Sequence, residues 1–475
     1  MESETAPEAN PPRVTLAQAL PAWCRVAALS FGGPTAQIAV MHRILVDEKK
    51  WVSETRFLHA LNFCMLIPGP EAQQLATYIG WLMHGVRGAL TAGLLFILPG
   101  FLSILALSII YVTWHDVPAV EAIFFGLKAA ILAVVIQAVL RIGGRVLKTR
   151  ALLCVAAAAF IAIFFLKVPF PLVILAAGIV GLAGNRLWPA SFPVLAAHDK
   201  QQVNEPDVEH HVEPGEQVDP KMLAVRPTVA RTLAIASVWI LIWWLPIIAV
   251  ALLFGVNSVY ATEGIFFSKA ALVTFGGAYA VLPYIGQQAV ERYHWLSAGQ
   301  MLDGLGLAET TPGPLIMVVQ FVGFLGAYHF AEQNPGPLPP LAAGVLGSVV
   351  TVWATFAPCF LYIMTGARWV ERLRQNRALT AALSAVTAAV VGVVLNLAIW
   401  FGVKALFQHV HVTSWSVAGW TMSLEWPEWS TISGGSVLCL AVAATLIFAL
   451  KRNIFVALGV SVAIGAVWYA FLGTR

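Results

Sequence analysis

Apolar residues run in long stretches along this chain, and polar residues are confined mainly to the turns between them. The stretches fall at 14–40, 57–84, 86–113, 119–140, 151–166, 168–187, 231–256, 264–290, 303–328, 340–365, 379–407, 434–450 and 453–472, thirteen in all. A helix needs about 20 apolar residues to cross the hydrocarbon core of a bilayer. The pattern therefore predicts an all-α polytopic membrane protein with about 13 membrane segments. A β-barrel would instead alternate polar and apolar residues in ten-residue segments.

One polar segment breaks the series and sets the domain boundaries. A tail (1–13) precedes an N-terminal repeat (14–187), a polar linker (188–230), a connecting membrane helix (231–256) and a C-terminal repeat (264–475). In the linker Asp199, Glu205, Asp207, Glu209, Glu213, Glu216 and Asp219 stand among prolines, a composition that predicts disorder. His198, His210 and His211 in this setting are read as solvated rather than metal-binding. Met1 to Arg13 is acidic and proline-rich rather than basic, so no cleavable signal is expected and the N-terminus is expected to stay in the mature protein.

Composition agrees and excludes other classes. The 475 residues are 59% hydrophobic and 11% charged, with a mean hydropathy of +0.79, whereas a soluble domain carries about 25% charged residues. No nucleic-acid partner is expected, and the formal charge of +4 is too small to name a partner by itself. Cys24, Cys64, Cys154, Cys359 and Cys439 lie far apart without Cys-x-x-Cys spacing, which speaks for packing rather than disulfides, a zinc site or any cofactor.

The chain repeats itself. A shift of 244 positions aligns Phe31–Pro70 with Phe275–Pro314 without a gap, matching Phe-Gly-Gly (31–33 with 275–277), Trp51 with Trp295, Ser53 with Ser297 and Pro-Gly-Pro (68–70 with 312–314). Seven apolar stretches separate the two starts, so the second copy is expected to enter from the opposite face, as an inverted repeat. Excess Lys and Arg mark cytoplasmic loops. Placing Arg141, Arg145, Lys148 and Arg150, then Arg368, Arg372, Arg374 and Arg377, and Lys451-Arg452 inside puts the N-terminus and the linker inside and the C-terminus outside. The loop His42–Arg56, with Arg43, Lys49, Lys50 and Arg56, moves inside if 14–40 and 57–84 are re-entrant, broken at Gly32-Gly33-Pro34 and at Pro68-Gly69-Pro70; full but broken helices are the alternative.

Broken helices at corresponding points of two inverted halves point to a transporter's midplane binding site, because helix starts expose free N–H groups and a partial positive charge. The candidate substrate-binding residues are therefore Gly32, Gly33, Pro34, Pro68, Gly69 and Pro70 with Gln73 and Gln74 in the first half. Gly276, Gly277, Thr310, Thr311, Pro312, Gly313 and Pro314 are their counterparts in the second. Glu71 and Glu309 are candidates for proton coupling, since an intramembrane carboxyl is a functional hypothesis by default; Glu71 can also serve as a mere dipole partner at a helix start. Arg25 and Lys269, equivalent in the repeat, and Arg43 are candidates for attracting an anion, with snorkelling to the interface the alternative for the first two. His42-Arg43 and His59 face Gly286-Gln287 and Asp303 in the second copy, so any role for them is asymmetric.

Phe31-Gly32-Gly33-Pro34, Met41-His42-Arg43, Trp51 with Phe57-Leu58, and above all Asn62 to Gly80, NFCMLIPGPEAQQLATYIG, resemble the chromate ion transporter (CHR) family in its long-chain, two-domain ChrA form. The resemblance covers both halves, the linker and the odd helix between them. It implies an inner-membrane exporter that lowers cytoplasmic chromate and confers chromate resistance, with efflux linked to the proton gradient. Chromate, the lipid bilayer and protons are then the partners; a homodimer stays open, with no residue speaking for it. Ala278 in place of Pro34 and Leu315 in place of Glu71 argue for one shared site rather than two equivalent ones. Sulfate or molybdate as substrate and a passive channel remain alternatives. The chain has neither His-Glu-x-x-His nor Gly-x-Ser-x-Gly, so no enzyme is expected, although an intramembrane enzyme is the alternative from another class.

Overall fold

The computed structural model describes residues 13–114, 117–192, 216–219, 228–370, 376–417 and 420–472. His198, His210, His211, Arg372, Arg374, most of the tail and most of the linker lie outside them. The first half contains α1 (Leu16–Leu29), α2 (Gly33–His42), α3 (Glu54–Cys64), α4 (Glu71–Trp114), α5 (Pro118–Val146), α6 (Arg150–Phe164) and α7 (Phe170–Leu187). A connecting helix, α8 (Val229–Phe254), leads to α9 (Val259–Leu272), α10 (Ala278–Gln287), α11 (Ala298–Thr310), α12 (Val318–Gln333), α13 (Pro340–Gly366) and α14 (Arg377–Leu406). A β-hairpin of β1 (Val410–Val417) and β2 (Trp420–Pro427) follows, then α15 (Gly434–Ala444) and α16 (Ile454–Leu472). Among the described residues eight helices are long and apolar enough to cross a membrane, and the protein is an all-α polytopic membrane protein apart from this hairpin. Leu241, Leu252 and Leu253 on α8 are exposed, as residues facing lipid are.

Local chemistry repeats with the sequence. Ser53 and Ser297, equivalent in the repeat, cap α3 and α11 with their hydroxyls. π-Helical turns occupy Arg43–Glu48 and Gln288–Arg292, and Lys50 and His294, again equivalent, each take a φ of 53°. The Gly-Gly pairs start α2 and α10 from left-handed φ values of 78° and 79° in the first half and 79° and 88° in the second.

The early helices of the first half turn back on themselves. Val14 N–H donates to Gln217 Oε1 at 2.7 Å, Gln217 N–H to the Trp51 carbonyl at 2.8 Å and Asp219 N–H to the Leu82 carbonyl at 2.9 Å. The start of α1, the turn before α3 and the end of the first limb of α4 therefore share one end of the molecule, here called the first mouth. α4 itself folds back at His84–Gly85, where the dihedrals leave the helical region. Gly80 and Gly88 then face each other so closely that a Cβ on either would strike the backbone of the other, although eight residues of straight helix would separate them by about 12 Å. The 11 residues of α3 and the limb 71–83 each span only about 16–20 Å, less than the hydrocarbon core of about 30 Å. In the second half His329, near the end of α12, meets the Trp295 carbonyl just before α11 at 3.0 Å. That end, the second mouth, also holds the start of α9. α8 runs between the two mouths.

Two expectations change. Glu216 to Asp219, placed by composition in a disordered linker, form a strap docked on the first mouth. The Arg56 and Glu216 side chains are only 6% and 3% exposed and lie 3.1 Å apart, Ser53 N–H donates to Glu216 at 2.9 Å, and Val218 is buried. An ion pair and a buried valine offset the ordering of four residues, which a bulk composition count cannot register. The hairpin also departs from the all-helical expectation, because two eight-residue strands are shorter than the segments of about ten residues in a barrel. Residues 410–417 run Val, His, Val, Thr, Ser, Trp, Ser, Val, with Val410 opposite Pro427 and Val417 opposite Trp420.

Burial raises the Glu216 carboxyl, but hydrogen bonds from Arg56 and Ser53 outweigh it and leave the group below its ordinary value. Such a carboxyl contributes stability above its unfolded value of about 4.3 and loses it as pH falls through the folded one. The strap is expected to hold at neutral pH and loosen on acidification. Glu216→Ala removes this partner from a buried guanidinium and is expected to cost about 3 kcal/mol, read as a lower thermal midpoint in detergent and faster proteolysis near 216–219. Gly277 has φ 88° and ψ −179°, a region essentially closed to other residues, yet a Cβ there meets only Glu71 Oε1, at 3.9 Å. Gly277→Ala is therefore expected to lose about 1–3 kcal/mol through backbone strain alone, with the midpoint as readout; an unchanged midpoint would refute the strain.

Candidate functional site

The breaks of the two halves are bonded to each other crosswise. Gly69 N–H donates to the Thr274 carbonyl at 2.7 Å, and Gly313 N–H donates to the Ser30 carbonyl at 2.8 Å. Because 69 and 313 differ by 244, as do 30 and 274, these are one contact made twice with the halves exchanged. Such reciprocity is the mark of a two-fold relation. Each Pro-Gly-Pro thus joins the chain just before the Phe-Gly-Gly of the other half. Gln37, in the first turns of α2, adds a bond from Nε2 to the Gly313 carbonyl at 2.6 Å.

This places four helix starts together: α2 after Gly32, the first limb of α4 at Glu71, α10 after Gly277, and the turn Leu315–Met317 that leads into α12. Each carries N–H groups without a partner in its own helix. Space remains beside them, since a Cβ at Gly33 would meet nothing within 4 Å, and one at Gly277 only the Glu71 carboxylate. Gly69, Pro70, Gly313 and Pro314 are buried; Gly32, Gly33, Pro34, Pro68, Gly276 and Pro312 are half-buried.

The charged candidates separate into two groups. Glu71 stands over the Gly276-Gly277 break of the opposite half. Glu309 is buried and accepts a hydrogen bond from Tyr279, in the first turn of α10. Arg145 is the cation whose field reaches Glu71, and Arg141 the one whose field reaches Glu309 and Tyr279. Both arginines are exposed and stand one turn apart near the end of α5, with open space beside Gly144 between them. Arg25 and Arg43 are instead engaged with Glu48 in the first mouth, Arg25 by two hydrogen bonds from its guanidinium and Arg43 at 3.7 Å. Lys269 is exposed in the last turn of α9.

The polar side chains at the breaks are partly committed. Gln73 donates to Thr77 at 2.9 Å and Gln74 to the Pro68 carbonyl at 2.7 Å. Thr310 and Thr311 turn their hydroxyls back onto carbonyls of Gly306, Leu307 and Ala308 at the end of α11, where a helix leaves acceptors unpaired. Gln37, Gln73, Gln74 and Gln320 each keep a buried side-chain oxygen without a partner among the described residues.

Sequence reasoning used Arg141 and Arg145 only as markers of the cytoplasmic side, and passed over Tyr279, Gln37 and Gln320. The i, i+4 spacing of the two arginines across Gly143-Gly144 was the available signal. Another unforeseen group pins the halves: Asp303 on α11, fully buried, accepts from Tyr111 of α4 at 2.9 Å and pairs with Lys128 of α5 at 3.2 Å. No metal-ligating cluster occurs among the described residues. The chemistry on offer is reversible binding of an anion between bare helix ends and guanidinium groups, with carboxylates that compete for them.

The family model described as chromate transporter matches residues 17–182 and 263–467. A chromate transport protein of Pseudomonas aeruginosa is 32% identical over 397 residues, covering 82% of this chain and 82% of its own. A chromate transport protein of Cupriavidus metallidurans is 27% identical, over 81% of this chain and 82% of its own, and an uncharacterized transporter of Methanocaldococcus jannaschii is 25% identical over 78% and 81%. No solved structure matches the chain. With each matched segment containing one half of the crosswise-bonded breaks, the chain belongs to the chromate transporter family.

Proposed function

We propose that this protein exports chromate from the cytoplasm, through one site shared by two inverted halves, and so confers chromate resistance. The observation that carries this is the reciprocal bonding of Gly69 to Thr274 and of Gly313 to Ser30, which gathers four helix starts beside Arg141 and Arg145. Mouths at opposite ends of α8 support inversion. Arg43, Lys49, Lys50 and Arg56 about the first mouth, against Arg292 about the second, support a cytoplasmic first mouth, a cytoplasmic N-terminus and a periplasmic C-terminus in the inner membrane.

Glu71 and Glu309 are the carboxyls of the site, with Arg145 and Arg141 the cations on their side of α5. A doubly negative tetrahedral oxyanion offers the same arginines more acceptors and also accepts from the free N–H groups of the helix starts. A membrane potential negative inside drives a dianion outward by about 4.6 kcal/mol per 100 mV, at about 2.3 per charge. Proton coupling adds to that drive, with the carboxyls of the site as candidates for the proton. Sulfate and molybdate share the shape and charge, so selectivity is part of the test.

Purified protein in proteoliposomes is expected to move chromate saturably, to show competition by sulfate, and to slow when the proton gradient is collapsed. Arg145→Gln is expected to raise the chromate KM by about 10–100-fold, the worth of one charge-assisted contact of about 1.5–3 kcal/mol, with Arg145→Lys intermediate. Transport that does not saturate, or an R145Q variant with unaltered KM, refutes this site.

A further inference from the structure

Glu263 lies outside the central site. It stands in the second turn of α9 at the second mouth, is fully buried, and neither carboxyl oxygen has a hydrogen-bond partner among the described residues. Its slot is built by missing side chains. A Cβ on Gly326 of α12 would come 2.7 Å from Oε1, and one on Gly347 of α13 would come 3.0 Å from Oε2. The same point at Gly326 lies 2.9 Å from Cγ of Trp295, so that indole closes the third side.

The surroundings supply no counter-charge. α13 contains no acidic, basic or histidine residue, and α8 has only Arg231, at its far end near the first mouth. α9 itself brings Tyr260 and, exposed in its last turn, Lys269; the turn before α11 brings Arg292 and Tyr293, with Arg292 set over the Tyr293 ring. α12 brings His329, one turn beyond Gly326 toward the second mouth, and Glu332 at its end. His329 Nδ1 lies 3.0 Å from the Trp295 carbonyl and must donate to it, which leaves Nε2 able to accept a proton. An ionised carboxylate in this slot would have neither cation nor donor, at a cost of several kcal/mol; a neutral acid fits. The repeat does not demand it, because Ala19 holds the corresponding place in α1.

We propose that Glu263 is a proton-carrying carboxyl of the transport cycle, loaded from the second mouth past His329. The step is a protonation alone: a carboxyl oxygen gains a proton from water at the mouth and gives it up in a state that opens the slot to the other side. This deepens the export reading and rests on its orientation, with the second mouth facing the periplasm. Protons entering there as chromate leaves would constitute exchange.

The infrared difference between wild type and Glu263→Gln, in detergent and without chromate, is expected to show a protonated-carboxyl C=O band that shifts in deuterated water. Carbodiimide labelling of the wild type, mapped by mass spectrometry, is expected to mark Glu263 and needs no variant. In proteoliposomes E263Q is expected to retain chromate–chromate exchange but to lose gradient-driven accumulation by about tenfold or more. Carboxylate bands in place of the protonated band, an unlabelled Glu263, or accumulation by E263Q equal to wild type overturns the proposal. A labelled, protonated Glu263 together with no chromate exchange even in wild type supports the proton site and sinks the chromate reading instead.

Discussion

Backbone amides cannot be left bare in hydrocarbon, and each unsatisfied group there costs several kcal/mol. A chain that interrupts its helices mid-membrane must therefore find partners for the freed groups within the protein. Here each half supplies what the other lacks: the glycine of each Pro-Gly-Pro donates to the carbonyl that precedes the other half's Phe-Gly-Gly. Neither half can satisfy its own break, so the duplication is held together at the place where its helices are interrupted. The same arrangement leaves the neighbouring helix starts free to meet a ligand.

The acidic side chains depart from the symmetry of the repeat. Glu71 answers to Leu315, Glu309 to Met65, Asp303 to His59 and Glu263 to Ala19. The backbone of the repeat is kept down to matching π-turns and left-handed residues, while the carboxyls differ. A symmetric scaffold gives two equivalent conformations, and asymmetric charges let the two be populated unequally. The first mouth adds a strap pinned by Arg56 and Glu216 that has no counterpart among the described residues of the second.

α5 links these elements. It carries Lys128 to Asp303 across the halves and presents Arg141 and Arg145 one turn apart near its C-terminal end. Cations at the end of a helix also oppose its partial negative charge, so local helix energetics and the recognition of a dianion favour the same residues.

The amino-acid sequence alone determined the membrane class, the thirteen apolar stretches, the duplication and the positions of its breaks. Apolar runs and Gly-Pro pairs act within a few residues of themselves, so they can be read without knowing what lies opposite. Only the tertiary structure decided that the breaks are exchanged between halves, that Arg25 and Arg43 are occupied by Glu48 while Arg141 and Arg145 reach the carboxylates, and that four residues of an acidic linker dock as a strap. It also revealed Glu263, since one glutamate in an apolar helix says nothing of whether its oxygens will find partners. Pairing across 200 residues depends on which faces the fold brings together, and that information is spread over every helix in between.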